Sequence, residues 1–188
     1  MKTTETKSLW TFDLTHSSVN FTVRHLVISK VRGRFTKWDG KLLMDENDPT
    51  SAQLDVAIEA GSIDTGVEQR DTHLKSADFL DVGRFPAIAF RGAQVEKVEE
   101  GRYRLTGDLT MHGVTRPVAL DVEYAGSAKD PWGGVRAGFS ARASLDRRDF
   151  GLTYNQVLET GGVMVGEKVE IAIEVEAIKQ AMVPAVAA

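Results

Sequence analysis

Cysteine is absent from all 188 residues. That removes disulfides, thiolate zinc sites, iron–sulfur clusters and cysteine nucleophiles together. A surplus of positive charge is absent as well: 23 Lys and Arg stand against 27 Asp and Glu, for a formal net charge of -4. Nucleic-acid binding needs a concentrated basic surface that displaces counterions from phosphates, so that class is not expected. No run approaches the ~20 apolar residues of a membrane-spanning helix. The opening MKTTETKSLW has none of the ~7–15 residue apolar core of a secretory signal. The expected location is therefore cytoplasmic, unless a natural signal has been removed. Low-complexity linkers and internal repeats are missing too. The expectation is a single domain between a flexible N-terminus (1–8) and a flexible C-terminal tail (179–188).

What the chain does have is alternation with period two, the mark of strands with one wet and one dry face. In 19–24, Val19, Phe21 and Val23 oppose Asn20, Thr22 and Arg24. The same contrast recurs for Leu54, Val56 and Ile58; for Leu105, Leu109 and Met111; and for Val118, Leu120, Val122 and Tyr124. It recurs again for Val135, Phe139 and Leu145, and for Val169, Ile171, Ile173 and Val175. Weaker alternation runs through 8–14, 30–44 and 86–98. Turn signals at Asn47-Asp48-Pro49, Glu100-Gly101, His112-Gly113 and Asp130-Pro131 separate the strands. Eight or more such strands must hide their dry faces, and a closed barrel does this while removing exposed edges. Small residues at inward positions, Gly107, Ala137, Ala141 and Ala143, leave space inside unless bulky neighbours fill it.

Residues 62–86, SIDTGVEQRDTHLKSADFLDVGRFP, interrupt the pattern. Thr65-Gly66-Val67-Glu68 fits a capping box and predicts a short helix from about Gly66, with Val67 and Leu74 as anchors. Arg70 and Asp71 point about 100° apart on such a helix and must find separate partners. Asp78-Phe79-Leu80-Asp81 predicts a second turn with Phe79 and Leu80 inward, and Pro86 opens the next strand. The stretch is expected to form a helical flap across one end of a barrel. Ser62, Asp71 and His73 are the residue types of a nucleophilic site, but at arbitrary spacing, so no catalytic residue is assigned. His16, His25, His73 and His112 lack metal-ligand spacing, so no metal is assigned.

Several motifs in combination resemble the YceI-like family of lipocalin-like, polyisoprenoid-binding proteins. They are Trp10-Thr11-Phe12-Asp13-Leu14-Thr15-His16-Ser17 followed by Val19-Asn20-Phe21-Thr22-Val23, and a Gly-x-Phe leading into Gly40-Lys41-Leu42. Three more lie at 62–65, 70–76 and 78–81, and others are Gly107-Asp108-Leu109-Thr110-Met111-His112-Gly113-Val114-Thr115 and Arg147-Arg148-Asp149-Phe150-Gly151. The resemblance covers about residues 9 to 178. It implies an all-β, lipocalin-like, eight-stranded antiparallel barrel with a short helical insertion near 66–81. It also implies an elongated apolar pocket for an isoprenoid or other long amphiphile, and pairing as a homodimer. Family ligands range from isoprenoid quinone-type lipids to fatty-acid derivatives. Many members are secreted or periplasmic, from which this sequence departs.

The expected ligand-binding set is Phe21, Val23, Phe35, Trp38, Leu42, Ile58, Ile63, Leu74, Phe79, Phe85, Phe90, Leu109, Phe139, Ala141, Phe150 and Tyr154. Trp38 and Tyr154 suit a mouth, with an apolar body and a polar tip. Arg70, His73, Arg147 and Arg148 are candidate head-group contacts. The expected function is to bind, store or carry a long-chain lipid in the barrel interior, without chemistry and without a cofactor. Two rivals stand beside it: a lipid-acting enzyme using residues in 62–81, and a filled barrel working through its surface in stress response.

Overall fold

The computed structural model describes residues 7–26, 28–157 and 163–180. The outer parts of the two expected flexible termini, 1–6 and 181–188, lie outside the described residues. Among the described residues, eleven strands form one sheet: β1 (Ser8–Phe12), β2 (Ser18–His25), β3 (Ser29–Phe35), β4 (Trp38–Asp45), β5 (Asp48–Glu59), β6 (Ile63–Asp64), β7 (Ala87–Glu99), β8 (Arg102–Met111), β9 (Val114–Lys129), β10 (Val135–Asp146) and β11 (Val165–Lys179). One helix, α1 (Glu68–Lys75), lies between β6 and β7.

The strands close into an eight-stranded antiparallel barrel because two long strands are each interrupted. β1 and β2 both pair with β11, so together they form one strand broken at 13–17. β3 and β4 likewise form one strand, paired with β2 and β1 respectively. The first break is held by its own side chains. Asp13 Oδ1 accepts from the Thr15 N–H at 3.0 Å. Ser17 Oγ accepts the Glu176 N–H at 2.9 Å, so β11 loses no partner across the gap. At the second break, Thr36 N–H donates to Ser62 O at 3.1 Å, docking the 3-10 turn Ala60–Ser62 there. The sheet closes where β1 meets β11 through Trp10↔Lys179.

The barrel has two unlike ends. β11 runs from Val165, opposite His25, to Lys179, opposite Trp10. At the Trp10 end a core of Trp10, Leu42, Met44, Ala137 and Ala177 is fully or almost fully buried. The other end carries the β2–β3 hairpin tip, the 60–86 segment with α1, and a 3-10 turn at Arg147–Phe150.

The opening segment departs in detail from its expected form. α1 begins at Glu68 behind a Val67 N-cap that makes no side-chain cap bond. Thr65 does not cap; its N–H and Oγ1–H both donate to Asp71 Oδ1, at 2.9 and 2.5 Å. Val67 is exposed rather than an anchor, whereas Leu74 packs beside Ile63 and Leu80. Phe79 and Leu80 are buried as expected from their turn. Pro86 ends the segment, its carbonyl accepting the Ala60 N–H at 2.9 Å just before β7.

Candidate functional site: an apolar cavity inside the barrel

The dry faces of the strands enclose a cavity of about 430 Å³, within the ~300–1,000 Å³ range of small-molecule sites. Alternation supplies most of its wall: Val19, Phe21 and Val23 from β2, Leu54, Val56 and Ile58 from β5, and Val169, Ile171, Ile173 and Val175 from β11. Among the described residues the wall includes no carboxylate and no serine, threonine or lysine.

Close approach of aromatic rings to backbone helps keep the lumen open. Phe21 lies opposite Gly33 on the neighbouring strand. A Cβ on Gly33 would meet the Phe21 ring at 2.3 Å, and one on Gly40 would meet the Phe12 ring at 2.6 Å. The rings therefore rest over glycine backbone, a recurrent pairing in sheets. Of the small inward residues, Ala141 and Ala143 do border the cavity. Gly107 does not open space, because Phe90 and the Arg91 carbonyl crowd it. Ala137 belongs to the buried core at the Trp10 end.

Among the described residues the basic wall residues are Arg24, His25, Arg70, His73 and Arg147, all at the α1 end. Arg70 is tied to its own loop: Nε donates to Thr65 Oγ1 at 2.7 Å and Nη2 to Thr65 O at 2.9 Å. His73 Nε2 lies 2.8 Å from Asp78 Oδ2, and its ring meets Phe79 and Tyr154 edge-on at 5.1 and 5.0 Å. Arg147 is only 4% exposed. Its guanidinium donates to the carbonyls of Leu152, Gly166 and Val165, the latter two at 2.9 and 3.3 Å. Burial pushes its pKa below the ordinary value, opposed by Glu167 and Asp146, yet a guanidinium stays charged in proteins. Arg147 thus pins the 147–152 turn to the start of β11 and leaves one face on the cavity.

The structure gathers most of the expected set around this one space: Phe21, Val23, Phe35, Trp38, Leu42, Ile58, Ile63, Leu74, Phe79, Phe90, Leu109, Phe139 and Ala141, with Arg70, His73 and Arg147. It places four expected residues elsewhere. Phe85 packs outside against His112, ring centroids 4.7 Å apart, with Arg84 over its face. Phe150 is 1% exposed within its 3-10 turn, where its carbonyl lies 3.1 Å from His112 Nδ1. Tyr154 stands behind His73 and Phe79, and its hydroxyl accepts from Gln156. Arg148 points to solvent and pairs with Asp146 and Glu167, and that pairing holds the Asp146 carboxyl at about 2. Trp38 borders the cavity but not at a mouth; it is buried mid-wall against Phe12, 5.7 Å between centroids. Phe12, Tyr103 and Tyr124 also line the cavity and were not singled out from the sequence. Phe12 shares the parity of Trp10, which was the available signal.

Ser62, Asp71 and His73 do not converge. Ser62 Oγ donates to Glu59 O at 2.7 Å, Asp71 holds Thr65, and His73 meets Asp78. Asp13, His16 and Glu176 bring potential metal-ligating atoms within 4.8 Å of one another. Arg136 already sits among them, its Nη1 donating to Asp13 Oδ2 at 2.9 Å and to Glu176 Oε1, and its Nε to Asp130 Oδ2 at 3.1 Å. Hydrogen bonds from Thr15, His16 and Arg136 hold the Asp13 carboxyl far below the usual carboxylate range. This is an ion-pair knot joining the β1–β2 break to β10 and β11.

Comparison with known proteins agrees with this architecture. Protein YceI of Salmonella newport is 39% identical over 165 residues, 88% of this chain and 83% of its own length. Among solved structures, the Campylobacter jejuni YCEI protein superposes with a TM-score of 0.73 at 31% identity, covering 84% of this chain and 90% of that one. A polyisoprenoid binding domain from Saccharophagus degradans shares the fold at a TM-score of 0.65 and 14% identity, over 91% of this chain and 98% of its own. Residues 10–177 match the YceI-like domain. That match begins in β1 and ends in β11, taking in every strand that closes the barrel and the flap between them, and the chain belongs to the YceI-like domain family.

Proposed function

We propose that the protein binds and carries one long-chain amphiphile, a polyisoprenoid, an isoprenoid quinone-type lipid or a fatty-acid derivative. The tail lies in the barrel and the head at the α1 end beside Arg70 and His73. The observation that carries this reading is the cavity itself: about 430 Å³, apolar along its length, with its basic wall residues confined to one end. The polyisoprenoid binding domain with the same fold supports the ligand class. Burying about 16 methylenes at ~0.8 kcal/mol each is worth on the order of 13 kcal/mol gross. Loss of chain and overall motion cancels much of that. Specificity then follows tunnel length and width, because few polar groups reach the lumen.

The open interior speaks against a filled barrel acting only through its surface. A wall without carboxylates or hydroxyl nucleophiles other than tyrosines, and the separate partners of Ser62, Asp71 and His73, favour binding over turnover. Mass spectrometry of an organic extract from the purified protein tests the reading, with the Ala141→Trp variant as background control. A stoichiometric lipid is expected. An empty extract from native-host material, followed by failed lipid titrations, overturns it. A homodimer belongs to the same proposal through the family resemblance, and sedimentation velocity reads its mass directly.

A further inference from the structure

The α1 end carries a feature that lipid binding inside the barrel does not explain. The β2–β3 hairpin tip presents Ile28 at 86% exposure and Leu26 at 36%. Leu26 holds φ 52°, the left-handed region that is costly for a residue other than glycine. Val157, 84% exposed, lies beside the tip. Leu26 N–H donates to Met164 O at 2.9 Å, and Met164 N–H to Gln156 O at 3.0 Å, which ties the two segments together. Both border the cavity, through His25 and Met164.

The hairpin itself carries charge of one sign. Between Leu14 and Trp38 the sequence holds no Asp or Glu, in a protein of net charge -4. Arg24, Lys30 and Arg32 are exposed on the hairpin, with Arg24 opposite Lys30 and Thr22 opposite Arg32. Arg34 and Lys37, farther from the tip, have carboxylate partners in Asp64 and Glu59. Among the described residues, no carboxylate pairs with Lys30 or Arg32. The exposed apolar residues of the other end differ: Trp132 sits in the turn built on the Asp130 carboxylate, and Val98 lies beside the Lys97–Glu100 pair. Among the described residues, the β2–β3 tip combines exposed aliphatics, flanking cations and the edge of the cavity.

We infer that the β2–β3 hairpin is a membrane-docking element. Resting on the carrier reading above, it seats Ile28 and Leu26 at the headgroup–acyl boundary of an anionic bilayer, with Lys30 and Arg32 on the lipid phosphates and the α1 end facing the lipid. An amphipathic surface of this kind binds by apolar insertion and charge together. Docking there places the cavity's basic end against the membrane, where an amphiphile can pass between bilayer and barrel without crossing water.

Co-sedimentation with phospholipid vesicles tests this. Wild type is expected to sediment with vesicles of equimolar phosphatidylcholine and phosphatidylglycerol, less with phosphatidylcholine alone, and to be released by high salt. Ile28→Asp weakens binding by about tenfold or more, since an aliphatic leaves the boundary and a carboxylate replaces it. Lys30→Glu and Arg32→Glu each weaken it by roughly fivefold. Failure of wild type to sediment with the anionic vesicles overturns the inference. So does unaltered sedimentation of these variants. A fluorescent fatty acid added from solution reads the cavity separately, and its uptake is expected to be unchanged in Ile28→Asp. Loss of that uptake in a variant with an unchanged melting temperature would assign the tip to the cavity and overturn docking. Wild type that sediments with vesicles yet takes up neither fatty acid nor isoprenoid would sink the carrier reading and leave the docking surface standing.

Discussion

The two ends of this barrel solve the same problem, closing an apolar tube, by different physics. At the Trp10 end closure is made by buried apolar side chains: the large Trp10 and Met44, and the small Ala177, have no exposure at all. The Asp13–Arg136–Glu176 knot reinforces it from outside. At the α1 end closure is made by a helix with no buried residue. That helix is tethered by Thr65–Asp71 and Arg70–Thr65 hydrogen bonds and anchored through Leu74, Phe79 and Leu80. Burial of apolar area is worth more than such hydrogen bonds, whose net gain over bonds to water is modest. The α1 end is also where the basic wall residues and the exposed hairpin tip lie. The same end is not loose throughout, because Arg147 fixes the 147–152 turn by three carbonyl acceptors.

The strongest way to break this comparison is to block the space between the ends. Ala141→Trp places an indole in the lumen, and lipid uptake measured by titration is expected to vanish. The barrel should stay folded by circular dichroism, at an overpacking cost of roughly 1–3 kcal/mol. Retained uptake would place the ligand elsewhere. The ends themselves are compared by Trp10→Ala, expected to cost about 3–5 kcal/mol in denaturant unfolding. Leu74→Ala, in a half-buried position on α1, is expected to cost less than about 2 kcal/mol while weakening lipid binding. Equal losses would remove the contrast.

Arg147→Met probes the one firm point of the α1 end. Stranding the carbonyls of Leu152, Val165 and Gly166 is expected to lower stability by about 1–3 kcal/mol. A neutral result would mean that water replaces the guanidinium. The smallest effect concerns pH at the Trp10 end. The Asp13 carboxyl is held below its ordinary value in the folded protein, with Thr15 the leading cause, followed by His16 and Arg136. Its contribution is present above the unfolded value near about pH 4 and lost as pH falls below it. Melting temperatures measured through that acid range should fall less steeply for Asp13→Asn than for wild type, and parallel curves would show the knot to be inert.

Much of this was legible before any coordinates. Alternation named the inward faces of β2, β5, β9 and β11 correctly, because a strand facing both core and solvent must alternate. The motifs pointed to the family and to the barrel, and Phe79 and Leu80 were readable as inward from their turn. Other details were not legible, because they depend on which backbone lies across the gap. Phe85 and Phe150 look like Phe21 in sequence, yet the Phe85 ring packs on His112 outside the cavity, and Phe150 is buried in its 3-10 turn with its carbonyl beside His112 Nδ1. Thr65 has the spacing of a cap and instead serves Asp71 and Arg70. Gly107 looks like vacant space until Phe90 is seen over it.

By itself the sequence determined the class of the molecule: a cysteine-free, alternating, all-β chain whose dry faces had to be buried against one another. Only the tertiary structure decided that eight strands close around an apolar lumen, that its basic groups gather at one end, and that the exposed aliphatics of the hairpin stand beside them. Periodicity is a property of neighbours along the chain. A cavity, a mouth and a docking tip are properties of residues that meet only when the first strand reaches the last.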